Sequence, residues 1–274
     1  MNPPLNNSIG KRWRPSRLIR VSVALHVGAA AAVIARPQLW QWMLGSVVAN
    51  HLLLMAAGLW PRSKILGPNW TRLPSQVAAA GGIAITIDDG PDPAVTPRVL
   101  TLLDEYSAKA TFFCIGELVE QHAELAREIV RRGHTIENHS QRHLRRFSVL
   151  GPRSLASEIE RAQETIGTVT GERPRFFRAP AGLRSPFLDP VLRRLDLHLA
   201  SWTRRGFDTV NRSPDSVYKK LVRNVQGGDI LLLHDGHAAR TQLGSPVIFE
   251  VLPRLLTTLA LAKLKPVTLR SALT

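Results

Sequence analysis

Cysteine is nearly missing from this 274-residue chain, in which Cys114 stands alone. That excludes an intrachain disulfide and any metal site built from cysteines. Its setting, the apolar run Ala110-Thr111-Phe112-Phe113-Cys114-Ile115, reads as a buried structural thiol, not a nucleophile. Acidic residues are absent from the first 87 positions, Asp88 being the first. Nine cations precede it, which leaves 27 of the 36 basic residues against all 21 acidic ones in the remainder, so the net charge of +15 is weighted to the N-terminal end. Zinc-finger spacings and RNA-binding aromatic motifs are lacking too, and the most lopsided charge flanks apolar segments. A nucleic-acid partner is therefore not expected, and anionic lipid headgroups suit the pattern better.

Two long apolar segments are present instead. Residues 21–35 are interrupted only by His26, and residues 38–60 carry no charge at all. At 1.5 Å per residue the second can cross a hydrocarbon core, and the first can do so if Arg20 snorkels. Arg36-Pro37 separates them as a tight turn, and Trp40, Trp42 and Trp60 lie near the ends of the second, where indoles favour the interface. The expectation is a transmembrane helical hairpin within residues 1–60, hence a multi-pass protein of a bacterial inner membrane. Lys11, Arg12, Arg14, Arg17 and Arg20 precede the first span, and Arg62, Lys64 and Arg72 follow the second. That bias places the rest of the chain on the cytoplasmic side, whereas a single span would place it in the periplasm or outside. Residues 61–81, which open with a Pro- and cation-rich stretch of no clear period, read as a linker.

From residue 82 to the end, short apolar runs alternate with amphipathic segments. Strands are predicted at 83–88, 110–115, 135–138, 175–178, 197–202, 229–233 and 266–269, and helices at 96–107, 117–132, 154–169, 186–195, 213–225 and 246–263. Such alternation predicts an α/β fold with parallel strands, and about seven units suit a closed or nearly closed (β/α) barrel. Polar clusters fall at the C-terminal ends of the strands, where α/β barrels carry their chemistry.

Each cluster suggests a task. In Asp88-Asp89-Gly90-Pro91 two adjacent carboxylates end an apolar strand, an arrangement that a nearby cation would relieve; one can bind a metal while the other serves as base. His139 and His143 stand at i and i+4, so both imidazoles can reach one ion from one face of a helix. Arg178 can orient a catalytic carboxylate and keep it ionised. His234 ends a buried apolar run and can act as a general acid if a carboxylate sets its pKa, with Asp208 as the candidate and Asp235 as its competitor.

The ordered set TIDDGPDP, HSQRH, RAPAG, SWTRRGFD and LLH resembles the five motifs of the polysaccharide deacetylase family, over about residues 82–270. The resemblance implies a distorted (β/α) barrel and a metal-dependent hydrolase that removes the N-acetyl or a related N-acyl group from an amino sugar. It assigns Asp88 as general base, Asp89, His139 and His143 as ligands of a divalent metal such as Zn²⁺, Arg178 as holder of the base, and His234 as general acid. Pro180 falls in a groove-forming loop, and Leu232 lines the acyl pocket. Ile87 replaces the usual phenylalanine of the first motif. Thr209 replaces the tryptophan that ends the fourth, so Trp202 is expected to supply the aromatic wall. The expected partners are membrane lipids and an N-acylated glycan or lipid-linked sugar. The alternatives are deformylation or deacetylation of a polyprenyl-linked sugar, or a tethered carbohydrate-binding protein that keeps the barrel without the chemistry.

Overall fold

The computed structural model describes residues 13–273. Lys11 and Arg12 of the basic N-terminus lie outside the described residues. Two helices, α1 (Arg17–Ala35) and α2 (Trp40–Leu59), form a hairpin joined through Arg36 and a 3₁₀ turn at Pro37–Leu39. Ser16 caps α1 by accepting a hydrogen bond from the Ile19 N–H, 3.3 Å away. Both helices are long and apolar enough to cross a membrane by length and composition. Their outer faces leave Val23, Val27, Ile34, Leu44 and Leu52 exposed. Between them the Asn50 amide donates to the Ser22 hydroxyl at 2.8 Å, and the His26 and His51 rings meet edge to face. That hydrogen bond and ring contact tie the two helices to each other.

The remainder is the distorted barrel. After the short helix α3 (Ser75–Ala79) the order is β1 (Gly82–Asp88), α4 (Thr96–Glu105), β2 (Ala110–Cys114), α5 (Gly116–Gln121), α6 (Ala123–Arg131) and β3 (Thr135–Asn138). Then come α7 (Pro152–Thr170), β4 (Phe176–Phe177), α8 (Leu188–Arg194), β5 (His198–Leu199), β6 (Arg204–Arg205), α9 (Pro214–Val222), β7 (Ile230–His234), α10 (Val247–Leu261) and β8 (Lys265–Pro266). The strands run parallel in the order β5-β4-β3-β2-β1-β7-β6, and β8 pairs with the start of β1. All seven residues of β1 are buried, as befits a parallel strand covered on both faces. The main core packs Ile85, Ile87, Leu231 and Leu233 against Leu252, Leu255 and Leu259 of α10.

Three sequence expectations need correction. The helix predicted at 117–132 is two helices, broken at His122. The strands predicted at 175–178 and 197–202 keep only two residues each in register, and β6 was not predicted, because the curling sheet edge holds only short pairings. Third, residues 139–143 form an irregular loop instead of a helical turn, with Ser140 and His143 at φ 67° and 49°.

β5 and β6 end the sheet on either side of a gap that residues 61–73 fill. Trp70 donates its N–H to Leu199 and accepts from Ser201, both at 2.8 Å, on one side. On the other, Leu73 bonds to Gly228 and Arg72 pairs with the buried Asp229 at 2.9 Å. Leu66 and Leu73 are buried, and the Trp70 indole meets Phe176 edge to face. This stretch has little regular structure, yet it closes the barrel wall. A chain starting at residue 82 is therefore expected to melt roughly 10 °C or more below one starting at residue 61, since each large apolar side chain lost costs about 1.5–3 kcal/mol and each kcal/mol shifts the midpoint by about 2–4 °C. Equal midpoints in a thermal melt would show that the segment is a passive tether.

Candidate active site

Strand register brings the clusters together. Asp88 pairs with His234 across β1 and β7, and Asn138 pairs with Phe177 across β3 and β4, so His139 and Arg178 follow side by side. The chain thereby carries residues 88 to 237 to one mouth, a cleft of about 710 Å³.

Asp88 and Arg178 form its buried floor. Arg178, only 1% exposed, donates to Asp88 Oδ1 at 2.6 Å and to the Thr86 hydroxyl at 2.8 Å. Its remaining nitrogens reach the Ala200 and Ser201 carbonyls, and the guanidinium lies 4.1 Å over the Phe113 ring. Four of the five N–H groups of the cation thus have acceptors, which makes burial of the charge tolerable. One Asp88 oxygen is tied to Arg178, while the other stands 3.9 Å from His139 Nε2.

Asp89, at φ 73°, turns its carboxylate to the opposite side, toward the histidine loop. Its Oδ1 lies 3.1 Å from His139 Nε2 and 3.3 Å from His143 Nε2, with all three ligand atoms within 4.8 Å of one another. His139 Nδ1 donates to the Arg178 carbonyl at 2.8 Å. A carbonyl only accepts, so in the neutral ring Nε2 carries the lone pair, and it faces the carboxylate oxygen. That buried oxygen has no hydrogen-bond partner. Lone pairs converging on one buried point suit a divalent cation and little else, so the donor set fits a metal. Burial pushes the His143 pKa down to about 4, leaving its imidazole neutral and free to ligate. Without a cation, burial opposes ionisation of Asp89, but contacts with protonated His139 and with His237 outweigh it and hold the carboxyl far below its usual range; the same contact outweighs burial at His139 and raises its pKa, so a bound cation would take the place of that proton. The loop is braced from outside: Arg142 forks onto Glu158 at 2.6 and 2.8 Å, and Asn138 is anchored to Gln163 on α7.

On the far side of Asp88, His234 donates from Nδ1 to Asp208 Oδ1 at 2.9 Å, and its own N–H reaches Asp208 Oδ2 at 2.8 Å. Burial alone would lower the pKa of this imidazole; the charge of the fully buried Asp208 outweighs it and raises the pKa to about 9. Asp235 is turned elsewhere, accepting from the Thr96 hydroxyl at 2.5 Å and from the Gly236 N–H. Asp208, not Asp235, is therefore the partner of His234.

Trp202 and Leu232 line the cleft, as do Thr209, Arg205 and the left-handed Ala181. Pro180 is buried, and the exposed Ala181 and the buried Gly182 line the cleft at that point. His237 went unmarked in the sequence. Its Nδ1 lies 3.4 Å from Asp89 Oδ2 and its ring stacks on His143, although the side chain is 68% exposed. The only sequence signal was its position three residues after His234.

The wall beside Trp202 also carries the foot of the hairpin. A Cβ at Gly182 would stand 2.6 Å from the Trp202 ring and 2.8 Å from Pro61, two residues beyond the end of α2. Gly58 accepts from the Arg184 N–H at 3.0 Å, and Trp13 donates to Asp189 at 2.7 Å. Glycine is required at 58 because the Arg184 carbonyl occupies the space of a side chain.

A parallel α/β barrel with paired aspartates, two histidines on one of them and a carboxylate-backed histidine opposite defines a class of amide hydrolase. Residues 76–200 match the polysaccharide deacetylase family model. A peptidoglycan-N-acetylglucosamine deacetylase of Bacillus cereus is 36% identical over 175 residues, covering 63% of this chain and 81% of the relative. A chitooligosaccharide deacetylase of Azorhizobium caulinodans is 35% identical, covering 56% and 73%. A solved CE4 family pseudoenzyme from Bacillus anthracis superposes with a TM-score of 0.66 at 21% identity, covering 75% of this chain and 69% of that one. The chain belongs to the polysaccharide deacetylase family, hydrolases that cleave the amide of acylated amino sugars and depend on a metal.

Proposed function

We propose that this protein removes the N-acetyl group from N-acetylglucosamine-type units of a glycan or glycolipid at a membrane surface. The observation that carries the reading is the convergence of the Asp89 carboxylate with two imidazole nitrogens between a buried base and a buried acid. Asp89, His139 and His143 would hold the cation, and two nitrogens with one oxygen favour Zn²⁺. When bound, it polarises the amide carbonyl and acidifies a water. Asp88, oriented by Arg178 at 2.6 Å, would accept the proton of the attacking water. His234, protonated and held by Asp208, donates to the departing amine, without which the C–N bond has a poor leaving group. Trp202 and Leu232 enclose the acyl methyl, and the Pro180 turn shapes the groove.

A pseudoenzyme is a precedent within this fold, but here every group that the mechanism needs is present and in register. The direct test is metal content together with acetate release from N-acetylglucosamine oligomers. Bound zinc and acetate release are expected, and failure of both across glycan and glycolipid substrates would leave only the binding reading.

The hairpin serves as the membrane anchor, with residues 82–274 as the catalytic domain. The cations near its foot, Arg14, Arg17, Arg20, Arg62 and Lys64, speak for a barrel on the cytoplasmic side under the positive-inside rule. A lipid-linked sugar, deacetylated or deformylated there, is favoured as substrate by the contact of Pro61 with the cleft wall. C-terminal reporter fusions test the orientation, and a periplasmic signal would point to mature cell-wall glycan instead.

The His234 pKa sets a pH prediction. The acid must be protonated, so kcat/KM should hold up to about pH 9 and fall as pH rises through it. Asp208→Asn removes the charge that outweighs burial, so its alkaline limb should move to lower pH. An unmoved limb in a pH–rate profile would take His234 out of the acid role.

A further inference from the structure

Two cations lining the cleft, Arg145 and Arg205, have no counter-charge among the described residues, and Arg145 is exposed whereas Arg205 holds a buried nitrogen without a partner. Arg178 is committed to Asp88 and Arg142 to Glu158. Side chains alternate along β6, so Arg204 turns outward to Asp229 and to the carbonyls of Arg223 and Asn224, while Arg205 turns into the cleft. Its guanidinium lies 5.4 Å from the Trp202 ring and 4.9 Å from the Phe207 ring. Its buried Nε has no hydrogen-bond partner, and no ion pair reaches the group among the described residues. The nearest catalytic carboxylates are already spent, Asp88 on Arg178 and Asp208 on His234.

Partly desolvated and unpaired, such a cation costs stability, and an anion compensates it more strongly than the hydroxyls of a neutral sugar do. Its place beside the two rings suits a guanidinium that receives a planar or tetrahedral oxyanion through two N–H groups. Arg205 pairs in register with Leu232, and Trp202 and Thr209 line the same cleft, so an anion bound there lies beside the reacting sugar. We propose that Arg205 forms an anion subsite, and that the substrate is an acylated amino sugar carrying a phosphate or a carboxylate. The proposal rests on the deacetylase reading of the cleft and adds the charge of the substrate to it. The two sources of such an anion are the phosphate that links a sugar to a lipid and an acidic substituent on the glycan itself.

The test uses the full zinc-loaded chain in detergent and the amine products, so that binding is read without turnover. Glucosamine, glucosamine 1-phosphate and muramic acid are titrated calorimetrically against the native protein, R205M and R205Q. R205M keeps an unbranched apolar stem against the rings, and R205Q repeats the test with a polar neutral group. The native protein should bind at least one anionic sugar about 10- to 100-fold more tightly than glucosamine, and both variants should erase that ratio. Preference for the phosphate alone indicates a lipid-linked source, and for the carboxylate alone an acidic glycan. The proposal falls if neither anionic sugar outbinds glucosamine, or if the preference survives in the variants. Acetate release from the N-acetylated forms is measured separately. Anion preference without hydrolysis removes the deacetylase reading and keeps the subsite, whereas hydrolysis without preference does the reverse.

Discussion

Asp89→Ala is expected to lose the bound divalent ion and nearly all turnover while the barrel stays folded. Its Oδ1 is the atom on which both imidazoles converge, and the pair alone offers only two neutral donors. Changing a group that merely supports a ligand weakens metal binding by about 10–100-fold, so removing a direct ligand should exceed that range. With the Lewis acid gone, several kcal/mol of charge stabilisation disappear, a rate loss on the order of 10⁴. The fold should persist because Asp89 contributes no strand packing and the loop around it is braced elsewhere, by Arg142 on Glu158 and Asn138 on Gln163. Elemental analysis, acetate release and a thermal melt read the three claims separately. Full metal content in the variant would place the ion elsewhere.

Much of this centre was legible from the residues, because strand ends announce themselves. An apolar run followed by carboxylates or histidine fixes both the strand and the position of its polar group at the C-terminal edge, as with Asp88 after 83–87 and His234 after 230–233. The spacing of His139 and His143 suggests one shared helical face, which the structure does not contain. Both rings reach Asp89, but through a loop with left-handed Ser140 and His143, stabilised by the Asn138 and Ser140 side chains capping local N–H groups. Spacing constrains distance, not backbone path. Contacts made by irregular chain left no periodic trace. The closing of the wall by Trp70 and Leu73, the approach of Pro61 to Gly182 and the second-oxygen contact of His237 all depend on tertiary placement. Asp208 is the candidate and Asp235 its competitor in the sequence, but only the contacts decide between them. Asp235 adjoins His234 in sequence, yet strand geometry sends its side chain to Thr96, while Asp208 arrives from 26 residues away.

The second large effect is expected at Asp88, where catalysis and stability can be separated. Asp88→Asn keeps an oxygen to accept from Arg178 and removes no member of the metal cluster, so metal content should be unchanged. An amide cannot take the proton of the attacking water, and turnover should fall by about 10²–10⁴. The variant also leaves the Arg178 charge without its carboxylate. Breaking a buried pair costs about 3–5 kcal/mol, and the low end is expected because Thr86, Ala200 and Ser201 still accept from the guanidinium. Rates must therefore be normalised to folded protein. Arg178→Met makes the opposite trade. It strips all those hydrogen bonds at once, and the Thr86 hydroxyl and two carbonyls lose their donor, so its melting point should fall further than that of Asp88→Asn. Yet Asp88 stays beside the cluster and can still accept a proton, so its turnover should fall less. The two variants are thus expected in opposite order on the two scales. The same order on both, measured by thermal melt and normalised kcat, would mean that Asp88 matters only as a counter-charge and that another group takes the proton.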